Sequence, residues 1–240
     1  MRGERNMNGV LKVTRFQLRE SRNPMLIFYA TILVMVSLLA VLIWRDTGDN
    51  AQVSGLGPST VVFLFILGLN GFASGFKFMQ ANSVSRKRFY VANIIALIAV
   101  AALMAAIDGT LTVVLKQMFP YEGMLEQIYR TAAFIPDFIW SFSLYAFAAF
   151  SGWMVTMVYY RCDKSQKILV SLSPAFLFIV LVYLIRINGA VGRAIINFLG
   201  VVLGLSGTPN PYVAALSFLV GTAGVAALSF LLIRRMPIKS

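Results

Sequence analysis

Apolar residues fall along this chain in long runs, separated by short polar segments that carry most of the cations. Six runs stand out: Met25–Trp44, Thr60–Phe76, Val91–Leu115, Phe138–Tyr160, Ile168–Ile185 and Tyr212–Ile233. At a rise of about 1.5 Å per residue, each reaches across about 30 Å of hydrocarbon as a helix, the second and fifth only just. A further run, Ala190–Leu205, is also apolar but is interrupted by Gly192, Arg193, Gly200 and Gly204. It reads as a re-entrant or interfacial outer segment (190–206) before the last span. The pattern therefore predicts an all-α, polytopic membrane protein. Residues 1–240 form one transmembrane domain, with spans at about 25–44, 60–76, 91–115, 138–160, 168–185 and 212–233.

The distribution of charge orients these spans. With an N-terminus inside, sixteen Lys and Arg fall in inner segments and five in outer ones, as the positive-inside rule requires. A seventh span would carry Arg234 and Arg235 outside and weaken the bias. Carboxylates lean the other way, with Asp46, Asp49, Glu122, Glu126 and Asp137 all outside. Both termini are expected in the cytoplasm. Trp44 and Trp140 then fall at outer ends and Tyr159–Tyr160 at an inner end, where amphipathic rings favour the interface.

Two inner segments have more structure than topology alone demands. Lys12, Arg15, Arg19 and Arg22 recur at helical spacing and form one cationic stripe, with Val10, Val13 and Phe16 available for an apolar side. Pro24 follows where the chain must turn into the bilayer, and is expected to break the helix. Residues 8–23 thus read as an in-plane helix on anionic headgroups; a basic leader that only sets topology is the simpler alternative. The loop between spans two and three, residues 77–90, runs from Lys77 through Met79, Gln80, Ala81, Asn82, Ser83, Val84 and Ser85 to Arg86, Lys87, Arg88, Phe89 and Tyr90. Ser83 or Ser85 is placed to cap a short helix, which makes the segment a candidate docking knob for a soluble partner.

Composition narrows the chemistry. The 240 residues are 59% apolar and 12% charged, against about 25% charged in an ordinary soluble domain. No soluble catalytic domain fits between the spans. The net charge of +12 flanks membrane runs instead of forming one patch, which points to anionic lipid and not nucleic acid. With no histidine and a lone Cys162, neither a metal site nor an internal disulfide is expected. The first apolar run is too long for a cleavable leader and reads as a retained anchor. Gly71-Phe-Ala-Ser-Gly-Phe-Lys77 lacks the ending of a phosphate-binding loop, and no nucleophile elbow is present. Enzyme activity in this chain is not expected.

Asp108 is the carboxylate set within a span. It serves either ion pairing and proton relay or a structural role, reaching water or pairing with Lys116 or Arg186. No Lys, Arg or His accompanies it within the membrane runs, which argues against proton-coupled transport. Asn70, Ser74, Ser171 and Ser173 can hydrogen-bond across helices or line a pathway. Pro174 permits a bend in span five. Small-residue stripes, Gly68–Gly71–Gly75 in span two and Ala92 through Ala106 to Gly109 in span three, favour close helix packing.

The basic segment before span one, the loop Asn82-Ser-Val-Ser-Arg-Lys-Arg-Phe-Tyr-Val-Ala-Asn93 and the ending Leu231-Leu-Ile-Arg-Arg-Met-Pro-Ile-Lys239 together resemble a small type-2 ATP-binding-cassette exporter permease. The likeness is to the six-span permeases of Gram-positive bacteria that serve peptide, bacteriocin or antibiotic export and immunity. It implies residence in the bacterial cytoplasmic membrane and pairing with a second permease, identical or homologous. It also implies two separate ATPase subunits, which hold ATP and Mg; this chain holds no cofactor. The coupling helix of such permeases maps onto Met79–Arg88. The short outer loops, Lys116–Asp137 and Arg186–Pro211, leave no room for the large extracellular domain of bigger members. Two other functions fit the same pattern: an ion-coupled secondary transporter or channel acting through Asp108, and a non-transporting toxin-immunity protein.

Overall fold

The computed structural model describes residues 2–47, 53–72, 75–76, 84–118, 120–187 and 189–234. Helices account for nearly all of them: α1 (Arg2–Thr47), α2 (Leu56–Asn70), α3 (Arg86–Met118), α4 (Met124–Tyr129), α5 (Phe134–Arg161), α6 (Lys164–Ile187), α7 (Gly189–Val202) and α8 (Pro211–Arg234). Among the described residues there is no strand, only an isolated bridge between Val53 and Tyr121. Five stretches are long and apolar enough to cross a membrane: Gly9–Leu42, Arg86–Met118, Phe134–Arg161, Lys164–Arg186 and Pro211–Arg234. The protein is therefore an all-α chain built for a bilayer.

The expected second span differs from its helix. α2 has 15 residues, about 22 Å at the helical rise, and stops where Gly71 turns its N–H back onto Leu67 and Gly68. The chain beyond stays in the core all the same. Phe72 and Phe76 are fully buried, with Phe72 edge-on to Trp153 at 6.4 Å and to Phe89 at 6.0 Å.

Pro24 does not break the first helix. α1 continues through it, although the ring removes one backbone donor. Packing on α3 holds both sides of the proline in line. The Thr14 hydroxyl donates to the Ala92 carbonyl at 3.3 Å, and the Tyr29 hydroxyl reaches the Met104 carbonyl at 3.3 Å. Later residues of α1 meet later residues of α3, so the two helices run in the same direction.

α5 is the centre of the bundle and packs against α2, α3 and α8. Its contact with α2 is backbone to backbone. A Cβ added at Gly68 would lie 2.2 Å from the Ala149 oxygen, and one at Gly152 would lie 2.1 Å from the Phe65 oxygen. By contrast α6 packs against α7, and no part of its apolar stretch is buried by the rest of the chain. The α6–α7 corner needs Gly192, where a Cβ would meet the Ile185 oxygen at 2.6 Å. α7, the expected outer segment, is a helix of 14 residues closed by Gly204 at φ 62°.

The two ends of the bundle are chemically distinct. At one, Val53 donates to Pro120 and accepts from Glu122, both at 3.0 Å. There Lys116 pairs with Glu126, and the Tyr129 hydroxyl donates to the Leu203 carbonyl. Trp140, placed by its sequence position in a lipid-facing belt, is instead 3% exposed and packs edge-on to Tyr129 and Phe218. α4 fills the loop beside it and covers the ring. The other end is basic.

Candidate functional site

The basic end forms where three helix termini meet. α3 begins at Arg86 behind Ser85, whose Oγ accepts the Arg88 N–H at 3.4 Å while its carbonyl accepts the Phe89 N–H at 3.0 Å. Ser85 is thus the cap, one of the two serines the spacing offered. From this start Arg86 Nη1 donates to the Arg234 carbonyl at 3.2 Å, and the Tyr90 hydroxyl donates to the Ala226 carbonyl at 2.6 Å. α8 is fastened to α3 by both. On the other flank, a Cβ at Gly9 would lie 3.8 Å from Arg88 Nη1, so α1 arrives at the same place.

Beside this junction Arg161 and Arg234, each in the last turn of its helix, face a groove of about 710 Å³ walled by Val158, Leu228 and Leu231. Cations at helix C-termini are favoured by the helix dipole. The result is a cationic rim over an apolar trough. Met79, Gln80, Ala81, Asn82 and Ser83 lie outside the described residues. The described part of the expected coupling segment is Val84, which packs on the core, and Ser85 to Arg88, of which Arg86 is half-buried.

Lys12, Arg15, Arg19 and Arg22 are all exposed, as a single stripe predicts. Val13 on the opposite side is buried, whereas Phe16 is 42% exposed and does not join it. At 100° per residue, the stripe lies opposite the side formed by Val13, Gln17, Ser21 and Pro24.

Asp108 is 5% exposed and meets neither Lys116 nor Arg186. Lys116 is held by Glu126 and Arg186 lies exposed on α6. The Tyr29 hydroxyl donates to Asp108 Oδ1 at 2.7 Å, and the Tyr145 hydroxyl donates to Oδ2. One carboxylate therefore ties α1, α3 and α5 together. Neither tyrosine was singled out from the sequence. For Tyr145 the signal was a phenol set well inside an apolar run, away from the interfacial positions such rings favour; Tyr29, one turn into its run, carried no such signal.

The other polar residues do not gather with it. Asn70 sits at the far end of α2, its Nδ2 donating to the Ile66 carbonyl at 3.1 Å. Ser171 and Ser173 lie on α6, away from the bundle, with the Ser173 hydroxyl turned to the Val170 carbonyl at 2.8 Å. Ser74 lies outside the described residues, as does the side chain of Trp44. Among the described residues no three His, Cys, Asp or Glu are grouped as a metal site.

Fold and ends together define a multi-pass helical membrane protein with one basic face. No protein-family model, curated protein or solved structure matches the chain.

Proposed function

We propose that this chain is the membrane-spanning permease subunit of an ATP-driven exporter. Two permeases form the translocation pathway, and two separate ATPase subunits, carrying ATP and Mg, dock on the basic end from the cytoplasm. The observation that carries this reading is the convergence of the starts of α1 and α3 with the end of α8 around Arg86 and Arg88. A push on that junction is delivered to three helices at once.

Coupling needs differential contact. A partner moves the bundle only if it holds the Met79–Arg88 segment differently with and without nucleotide. Arg86 on Arg234 and Tyr90 on Ala226 would pass such a shift to α8, and Thr14 on Ala92 would pass it to α1. α2 serves as a short sixth span, and the Lys12–Arg22 stripe rests on anionic lipid. The cytoplasmic membrane of a bacterium is the setting, with both termini inside. An amphipathic peptide or apolar small molecule is the cargo class that apolar helices suit.

The ion-coupled alternative is less well supported, because both oxygens of Asp108 are engaged by tyrosine hydroxyls. A variant with Arg86→Glu, Lys87→Glu and Arg88→Glu tests the reading. Purified from its native membrane, the unaltered protein should bring an ATP-hydrolysing subunit with it, and the variant should lose that subunit. Co-purification untouched by the charge reversal would overturn the proposal.

A further inference from the structure

A second cavity, of about 270 Å³, lies between α1, α2 and α3. The contacts of Thr14 with Ala92 and of Tyr29 with Met104 set the register of α1 on α3. They bring the polar stretch Gln17–Ser21 level with the apolar stretch Asn93–Val100. Gln17, Glu20 and Ser21 accordingly line the cavity together with Asn93, Leu97 and Val100. Polar groups set among apolar side chains are costly unless something answers them.

Their hydrogen bonds follow one pattern. The Ser21 hydroxyl donates to the Gln17 carbonyl at 3.0 Å, Asn93 Nδ2 to the Phe89 carbonyl at 2.9 Å, and Asn70 Nδ2 to the Ile66 carbonyl at 3.1 Å. One N–H of each asparagine amide, and the Ser21 hydroxyl, are thus turned back onto their own helix. Because a carbonyl accepts only from the NH₂ side of an amide, the asparagine oxygens take no part in these bonds. Gln17 Oε1 is buried without a partner. Pro24 has no N–H, so the Glu20 carbonyl lacks its helical donor as well. The Glu20 carboxylate stands at the exposed mouth. The cavity thus offers acceptors and one negative charge, while the cations of α1 lie on the opposite side of that helix. Phe63, Leu67 and Leu97 supply an apolar wall.

We propose that this cavity binds a small amphiphile with a primary ammonium head and an apolar tail. An ammonium has three donors and no acceptor, which matches a lining that holds the Glu20 carboxylate, the unpartnered Gln17 oxygen and a carbonyl without its helical donor. The site belongs to this chain alone, so the proposal stands independently of any ATPase.

The test uses the full chain in phosphatidylcholine nanodiscs, without nucleotide, and phenylbutylammonium as the probe. Saturable binding is expected, with phenylbutanol weaker and phenylbutyrate excluded. Glu20→Gln, an exposed and nearly isosteric change, should weaken the amine about tenfold; Gln17→Leu should weaken it further, and Glu122→Gln at the other end should leave it unchanged. Adding phosphatidylethanolamine distinguishes two sources of the same head: competition with the probe assigns the site to that lipid, and its absence assigns a free amine. Equal binding of phenylbutyrate, no saturable binding of the amine, or binding indifferent to Glu20→Gln would overturn the proposal.

Discussion

Replacing Gly152 by alanine adds one methyl group at the closest approach in the bundle. That methyl would lie 2.1 Å from the Phe65 oxygen, 3.0 Å from its carbonyl carbon and 3.2 Å from the Leu69 nitrogen. Ordinary contact begins at 3.4 Å, so the backbones must part by about 1.3 Å. No flexible side chain is there to yield, because every obstructing atom belongs to α2 itself. Separation would also stretch the bond from the Thr156 hydroxyl to the Leu69 carbonyl, now 2.6 Å, and loosen the rings of Phe72 and Trp153. Overpacking of this kind costs about 1–3 kcal/mol, opposed by about 1 kcal/mol of improved helix propensity. A net loss of about 1 kcal/mol, and no more than about 2, is therefore expected from Gly152→Ala, and a similar one from Gly68→Ala. Thermal unfolding in a single detergent measures it, with Gly224→Ala as the comparison, since nothing lies within 4 Å of a Cβ there. Gly152→Ala as stable as Gly224→Ala would refute the backbone-contact reasoning.

Three other outcomes follow from the same geometry. Asp108→Leu strands two buried tyrosine hydroxyls and should lower stability by about 2–4 kcal/mol, whereas Asp108→Asn, which keeps an acceptor, should cost clearly less; equal losses in thermal unfolding would contradict the tyrosine clamp. Pro24→Ala restores a donor to the Glu20 carbonyl within a continuous helix and should raise stability, by up to about 3 kcal/mol, read by the same assay; a fall would mean that the proline shapes α1. Lys116→Met breaks a partly exposed ion pair and should change the midpoint little, at about 1 kcal/mol or less.

Much of this architecture was legible in the apolar runs, because length and charge bias are set residue by residue. The starts and ends of α3, α5, α6 and α8 fall close to the runs that predicted them. Pro24 misled, since a proline's local penalty says nothing about the contacts on either side that carry α1 past it. Span two misled for the converse reason: the run continues to Phe76, but Gly71 ends the helix and the apolar residues beyond it serve the core. The small-residue stripe of α3 pointed to the right side of the helix only in part. Ala92, Ala96 and Gly109 are buried, whereas Ala99, Ala102 and Ala106 are half-exposed and Val100, Met104 and Asp108 complete the packed face. Which side of an apolar helix meets protein and which meets lipid is not written in hydropathy, since both are equally apolar. The partners of Asp108 and the cavity beside Glu20 depend on the register between helices, which appears only when they are packed.

A photoreactive side chain installed at Lys87, in cells that make the protein at its native level, tests the central proposal most directly. The account predicts a cross-link to a cytoplasmic, ATP-hydrolysing subunit, with a yield that changes when ATP is trapped unhydrolysed. Cross-links to lipid alone, or a Lys87 position reached only by reagents outside the cell, would contradict it.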